Sequence, residues 1–121
     1  MSRLRALIVE DVVDLAPTIA RELSAAGIDA EIAASGPHAL DRFAKDPCDV
    51  VITDLRMRGL DNAGLDLLDA LKRIDPGLPV LIMSGAGGIE TAVEAMRRGA
   101  FHYVAKPFAP ETLRVLVERA C

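Results

Sequence analysis

The stretch VVITDLRM, residues 50–57, decides the fold. Val50, Val51, Ile52 and Thr53 are all β-branched, so the run favours an extended strand. It carries no polar residue on alternate positions, as a strand covered on both faces requires. It then delivers a carboxylate, Asp54, and turns polar. A second run of the same kind, VLIM, ends in Ser84. Two strands buried on both sides imply a sheet with layers above and below it, and the segments around them supply those layers.

Working outward, strand-like runs alternate with helix-period segments. Leu4 to Val9 reads as a strand. Leu15 to Ala26 reads as a helix with Leu15, Ile19, Leu23 and Ala26 on one face, Asp14 as its cap, Pro17 in its first turn and Gly27 as its stop. Ile28 to Ala33 is a shorter, more mixed strand suited to an edge. Ser35-Gly36-Pro37 opens a helix that runs through Ala39, Leu40 and Phe43 to Asp46-Pro47. Asp49 to Asp54 is the third strand, and Ala63 to Ile74 a helix closed by Asp75-Pro76-Gly77. Leu78 to Ser84 is the fourth strand. Gly88 to Arg98 is a helix with Ile89, Val93 and Met96 facing inward and Gly99 after it. Phe101 to Ala105 is the fifth strand, and Pro110 opens a last helix through Leu113, Leu116 and Val117. Repeated strand–helix units predict an α/β fold with a parallel sheet. Right-handed crossovers leave a doubly wound five-stranded sheet, flavodoxin-like (βα)5 in order 2-1-3-4-5, as the expected topology.

The totals agree with one such domain over residues 1–121. Hydrophobic residues make up 51% of the chain, which excludes disorder. The net charge of −4 leaves no surplus of cations for general nucleic-acid binding by this domain. Cys48 and Cys121 lie far apart without a CxxC, so neither a metal knuckle nor a disulfide framework is expected. No run of 18 apolar residues exists, and MSRLRALIVED leads straight into a strand, so the expected location is the cytoplasm, away from membranes. The sequence stops at Cys121 where the last helix should end, and this region is expected to be the N-terminal part of a longer regulator.

In a doubly wound sheet, ligands bind beyond the carboxyl ends of the strands. The first strand ends in Glu10-Asp11, the third in Asp54, the fourth in Ser84 and the fifth in Lys106. Three carboxylates, a hydroxyl and an ammonium therefore converge. Two carboxylates about 4 Å apart repel by about 4 kcal/mol at an effective dielectric near 20. Lys106 offsets part of this, and a hard divalent cation such as Mg²⁺, which takes oxygen ligands, would offset the rest. Asp54 can still offer one oxygen as a nucleophile. A phosphoryl group arriving there would meet the cation, Lys106 and Ser84, and phosphoryl transfer needs little beyond such positioning and charge stabilisation.

These residues carry a resemblance. Glu10-Asp11, Asp54, Ser84 and Lys106-Pro107 resemble the acidic pair, phospho-acceptor, hydroxyl switch and Lys-Pro of response-regulator receiver domains of two-component signalling. The resemblance covers essentially the whole chain. SGAGGIETAVEAMRRGAFHYVAKPF, from Ser84 to Phe108, is similar to receivers of the nitrogen-regulation type, in which the receiver precedes an ATPase domain that activates the sigma-54 factor and then a DNA-binding domain. The resemblance implies that Asp54 accepts phosphate from a sensor histidine kinase. It implies that Asp11, Asp54 and the backbone carbonyl of Arg56 hold Mg²⁺, with Glu10 acting through water. Lys106 and Ser84 would contact the phosphoryl group, and Tyr103 would change rotamer as Ser84 moves. It further implies a cis Lys106–Pro107 bond, and a helix 4–strand 5–helix 5 face that drives an output domain and supports phosphorylation-dependent homodimers.

One segment departs from the family pattern. Met-Pro-Gly-x-Asp-Gly is usual after the acceptor; here the run is Met57-Arg58-Gly59-Leu60-Asp61-Asn62-Ala63-Gly64, with Arg58 in place of Pro and two extra residues. A longer, looser loop is expected, with altered phosphate lifetime or kinase choice. Two other functions use similar parts. Aspartyl-phosphate hydrolases of the haloacid-dehalogenase class share the Asp, Ser or Thr, Lys and Mg²⁺, but carry a second Asp where this chain has Arg56. A degenerate receiver would bind a partner without phosphate. Gly85-Ala86-Gly87-Gly88 lacks the GxxxxGK[ST] pattern of a nucleotide loop and is read as freedom for the segment after Ser84. His38 and His102 are expected to be exposed and outside the site.

Overall fold

The computed structural model describes residues 3–11, 15–85 and 88–121. Along the chain run β1 (Arg5–Val9), α1 (Leu15–Ala25), β2 (Asp29–Ala33), α2 (Gly36–Lys45), β3 (Val50–Asp54), α3 (Ala63–Ile74), β4 (Val80–Ser84), α4 (Ile89–Arg97), β5 (His102–Ala105) and α5 (Pro110–Ala120). The five strands are all parallel, in the order β2-β1-β3-β4-β5. This is the doubly wound topology that the alternation predicted.

Alternate residues along each central strand face opposite layers, and both sets are buried. On one side Leu7, Val9, Val51, Val80 and Ile82 pack with Phe43 of α2, Leu68 and Leu71 of α3 and Ala95 of α4. On the other, Ala6, Ile8, Val50, Ile52, Leu81 and Met83 pack with Ile19 and Leu23 of α1 and Leu113 and Val117 of α5. All five residues of β3 and all five of β4 are buried. That answers why residues 50–54 and 80–84 are apolar almost without interruption. β2, at the edge, is mostly exposed and carries the mixed sequence that such a place tolerates.

Local chemistry sets the helix limits. Ser35 caps α2, its Oγ accepting from the His38 N–H at 3.2 Å, and Pro37 sits in the first turn where its missing N–H costs nothing. α3 begins at Ala63 despite the unusual loop before it. α1 ends at Ala25, so Ala26 falls in the following turn and is exposed, and Ala16 takes the expected place of Ala26 on the buried face. Asp14, the expected cap of α1, lies outside the described residues.

α4 corrects a sequence expectation. Ile89, Val93 and Met96 do not face inward: they are 84%, 47% and 49% exposed. The buried residue of this helix is Ala95. The helix packs by its small side chains, with Thr91 and Ala92 half-buried beside Ala95. Its larger apolar residues form the outer strip. Arg98 fixes that orientation by pairing with Glu94 at 2.8 Å and with Asp69 of α3 at 3.2 Å. The described residues contain no helix long and apolar enough to cross a membrane.

Candidate functional site

Strand register brings the polar ends together. Val9 pairs with Thr53, Asp54 with Met83, and Ser84 with Ala105. The hydrogen-bond ladder also continues past the strands. The Glu10 N–H donates to the Ala33 carbonyl at 3.0 Å, the Leu55 N–H to Met83 at 2.8 Å and the Lys106 N–H to Ser84 at 2.7 Å. Site residues that look like loop residues are thus held by the sheet itself.

Asp54 is 6% exposed, Glu10 3% and Ser84 4%, whereas Asp11 is exposed. Buried charges must be paired. The Lys106 ammonium supplies the pairing, with Nζ at 3.1 Å from Asp54 Oδ2 and 3.2 Å from Glu10 Oε2. Burial pushes the Lys106 pKa down, but the hydrogen bond and charge of Asp54, with Glu10 beside it, outweigh that and hold it above the usual lysine value. One ligand oxygen from each of Glu10, Asp11 and Asp54 lies within 4.8 Å of the others. This all-oxygen set fits a hard divalent cation of the Mg²⁺ type, which one ammonium alone does not replace.

Asp11, Asp54, Ser84 and Lys106 open into a cleft of about 510 Å³ lined also by Arg56, Arg58, Gly59, Asp61, Asn62, Gly85 and Thr91. Arg56 is exposed, and its guanidinium turns to Asp61 at 2.8 Å. Gly64 sets how closely α3 approaches the end of β3. Its N–H donates to the Leu55 carbonyl at 2.8 Å, and an added Cβ would meet the Asp54 carbonyl oxygen at 2.4 Å. Only glycine lets α3 start this close to the end of β3.

The loop between β3 and α3, longer than the family pattern, is closed by backbone hydrogen bonds. Met57 and Leu60 exchange backbone hydrogen bonds of 3.2 and 2.9 Å. Between them Arg58 has φ 51° and Gly59 φ 76°, a two-residue turn with both central residues left-handed. The Arg58 N–H donates to Asp11 Oδ2 at 2.8 Å. The departure from Pro therefore provides a donor where the usual residue has none, which the sequence reading missed. The signal present in the sequence was Gly59 after a non-proline residue.

The Lys106–Pro107 bond is cis, as expected. Tyr103 is half-buried against the α2–α3–α4 core layer, and its hydroxyl is buried without a partner among the described residues. His38 and His102 are exposed. Of the glycine segment after Ser84, Ala86 and Gly87 lie outside the described residues.

A five-stranded parallel sheet with this acidic cluster and lysine at its carboxyl edge defines a receiver, and residues 6–118 match the response regulator receiver domain. The chain belongs to that family, a signalling module rather than a classical enzyme. It is 40% identical to the nitrogen assimilation regulatory protein NtrX of Azorhizobium caulinodans over 114 residues, 94% of this chain and 25% of the relative. It is 38% identical to the DNA-binding transcriptional regulator NtrC of Klebsiella pneumoniae over 120 residues, 99% of this chain and 25% of the relative. Among solved structures it is similar to the receiver domain of NtrX from Brucella abortus, with a TM-score of 0.88 and 39% identity, covering 95% of this chain and 96% of that one. The likeness to nitrogen-regulation receivers read from Ser84–Phe108 thus extends along the chain. The chain spans about a quarter of the length of the curated relatives it matches.

Proposed function

We propose that this chain is a phospho-acceptor switch that takes a phosphoryl group from a sensor histidine kinase onto Asp54 and passes the signal to an output domain, transcriptional in kind. The observation that carries the reading is Lys106 Nζ lying between Asp54 and Glu10, with Asp11 beside them, at the carboxyl edge of the sheet. An Asp54 oxygen attacks phosphorus, and the P–N bond to the kinase histidine breaks. The bonding pair stays on the imidazole nitrogen, and Asp54 becomes an acyl phosphate. Lys106 stabilises the charge on the transferring oxygens, and the Ser84 hydroxyl donates to one of them. Glu10 (through water), Asp11, Asp54 and the Arg56 carbonyl would hold Mg²⁺, which supplies positive charge against the phosphoryl oxygens.

The output follows as a population shift between two arrangements of the α4–β5–α5 face. The exposed apolar strip of Ile89, Val93 and Met96 with Phe101 supports that role, because uncovered apolar surface of this kind marks an interaction site. The same face suits a homodimer that forms on phosphorylation. Tyr103, whose hydroxyl has no partner among the described residues, is the side chain that would exchange positions as Ser84 moves. Arg56, paired with Asp61, stands where a phosphohydrolase of this chemistry needs a general acid, which argues against turnover of free substrates.

Intact-mass spectrometry tests the reading. The chain is incubated with a small-molecule phosphodonor, with and without Mg²⁺, beside Asp54→Asn. One phosphoryl group added to the Mg²⁺-supplied wild type alone is expected. Modification of Asp54→Asn to the same extent would refute the acceptor.

A further inference from the structure

The turn at Arg58-Gly59 links two distant parts of the site. The Arg58 N–H reaches an Asp11 carboxylate oxygen 47 residues earlier in the chain, at 2.8 Å. Arg58 holds φ 51° to do so, a region that residues with a Cβ rarely adopt. Turns of this type favour Asn or Asp before Gly, so the Arg-Gly sequence does not itself choose the conformation. The surroundings do. Met57, 1% exposed, anchors the base of the hairpin in the core, the Met57–Leu60 bonds close it, and Gly64 pins the start of α3 to Leu55. A rigid base therefore aims one backbone donor at an exposed carboxylate that would otherwise rotate freely.

We propose that Arg58 is a positioning residue for cation binding: its backbone N–H fixes the Asp11 carboxylate, so the affinity of the acidic cluster for a divalent cation is set by the geometry of the 57–60 hairpin. This rests on the reading of Glu10, Asp11 and Asp54 as a cation site. A hydrogen bond to one Asp11 oxygen leaves the carboxylate's remaining lone pairs for the metal and removes the cost of ordering it. Losing such an outer contact typically weakens metal binding about 10–100-fold. Because the donor is main chain, the guanidinium is dispensable and the N–H is not.

The test is a Mg²⁺ titration by calorimetry of wild type, Arg58→Ala, Arg58→Gly and Arg58→Pro, each with its melting curve. Arg58→Ala and Arg58→Gly keep the donor and are expected to bind as tightly as wild type or more tightly, since a positive charge leaves the cleft. Arg58→Pro has no N–H and cannot take a positive φ; its affinity is expected to fall at least about tenfold. Wild-type affinity in Arg58→Pro would overturn the proposal, as would an equal loss in Arg58→Ala. If Arg58→Pro does not fold, amide exchange on the wild type decides. The Arg58 amide is expected to be protected, and protection to vanish in Asp11→Ala; equal exchange in the two proteins overturns the proposal. No Mg²⁺ binding by wild type at millimolar concentration would instead remove the cation-site reading and this inference with it.

Discussion

At the scale of single residues, Gly64 shows how narrowly the site is built. The atoms a Cβ would strike, the Asp54 carbonyl oxygen at 2.4 Å and Leu55 Cα at 2.9 Å, are backbone and cannot swing aside. Gly64→Ala is expected to cost about 1–3 kcal/mol through overpacking, read as a lower melting temperature together with weaker Mg²⁺ binding. Asp54 works the other way. Replacing it by Asn removes repulsion from two carboxylates and attraction from one ammonium. In chelator, Asp54→Asn should therefore melt above wild type, and the gap should narrow with Mg²⁺; a lower melting point in chelator would contradict this electrostatic account. Cys48 is half-buried, and burial pushes its thiol up to about 11. At pH 8 about one thiol in a thousand would then be thiolate, against roughly a quarter for a free cysteine. Iodoacetamide labelling with peptide mapping should find Cys48 about 250-fold slower than an unfolded control. Of the site residues, Asp54, Glu10, Ser84 and Lys106 were legible because each ends an apolar run. The Arg58 donor was not, because Gly59 after a non-proline residue signals a turn without showing that Arg58 itself takes a positive φ and aims its N–H at Asp11.

At the scale of elements, the sequence read well where one apolar face meets a full sheet. α3 occupies Ala63–Ile74, the limits its periodicity and the Asp75-Pro76-Gly77 stop predict. α4 was misread because its periodicity is real but belongs to the outside. Burial is decided there by close approach of Ala95 and by the Arg98–Asp69 pair, and an i, i+4, i+7 pattern is blind to both. Substitutions separate the two faces. Ile89→Ser and Met96→Gln should change stability by less than about 0.5 kcal/mol, whereas Ala95→Leu should cost about 1–3 kcal/mol. Denaturant midpoints measure both, and a large loss in Met96→Gln would place that side chain in the core after all.

At the scale of the whole molecule, topology was legible because central strands covered on both faces admit few arrangements, and parallel order then places every strand's carboxyl end on one edge. The same convergence makes stability depend on pH through Lys106. Its folded pKa lies above the unfolded value near 10.4. Its contribution is complete below that value and fades as pH rises through the raised folded pKa. Wild type should lose stability above about pH 10.4 more steeply than Lys106→Met, and parallel denaturation curves across that window would show that the ion pairs contribute nothing.

The sheet also acts as a partition. Leu68 and Leu71 on one side and Leu113 and Val117 on the other share no layer, and what separates them is a continuous wall of backbone hydrogen bonds. Energetically the domain is two half-proteins glued to a common plane. Double-mutant cycles should be nearly additive across the plane, as for Leu71→Ala with Leu113→Ala, and visibly coupled within one side, as for Leu68→Ala with Leu71→Ala. Such a chain can change one helical layer in the course of evolution while the other keeps its packing, with the acidic edge riding unchanged on the plane between them.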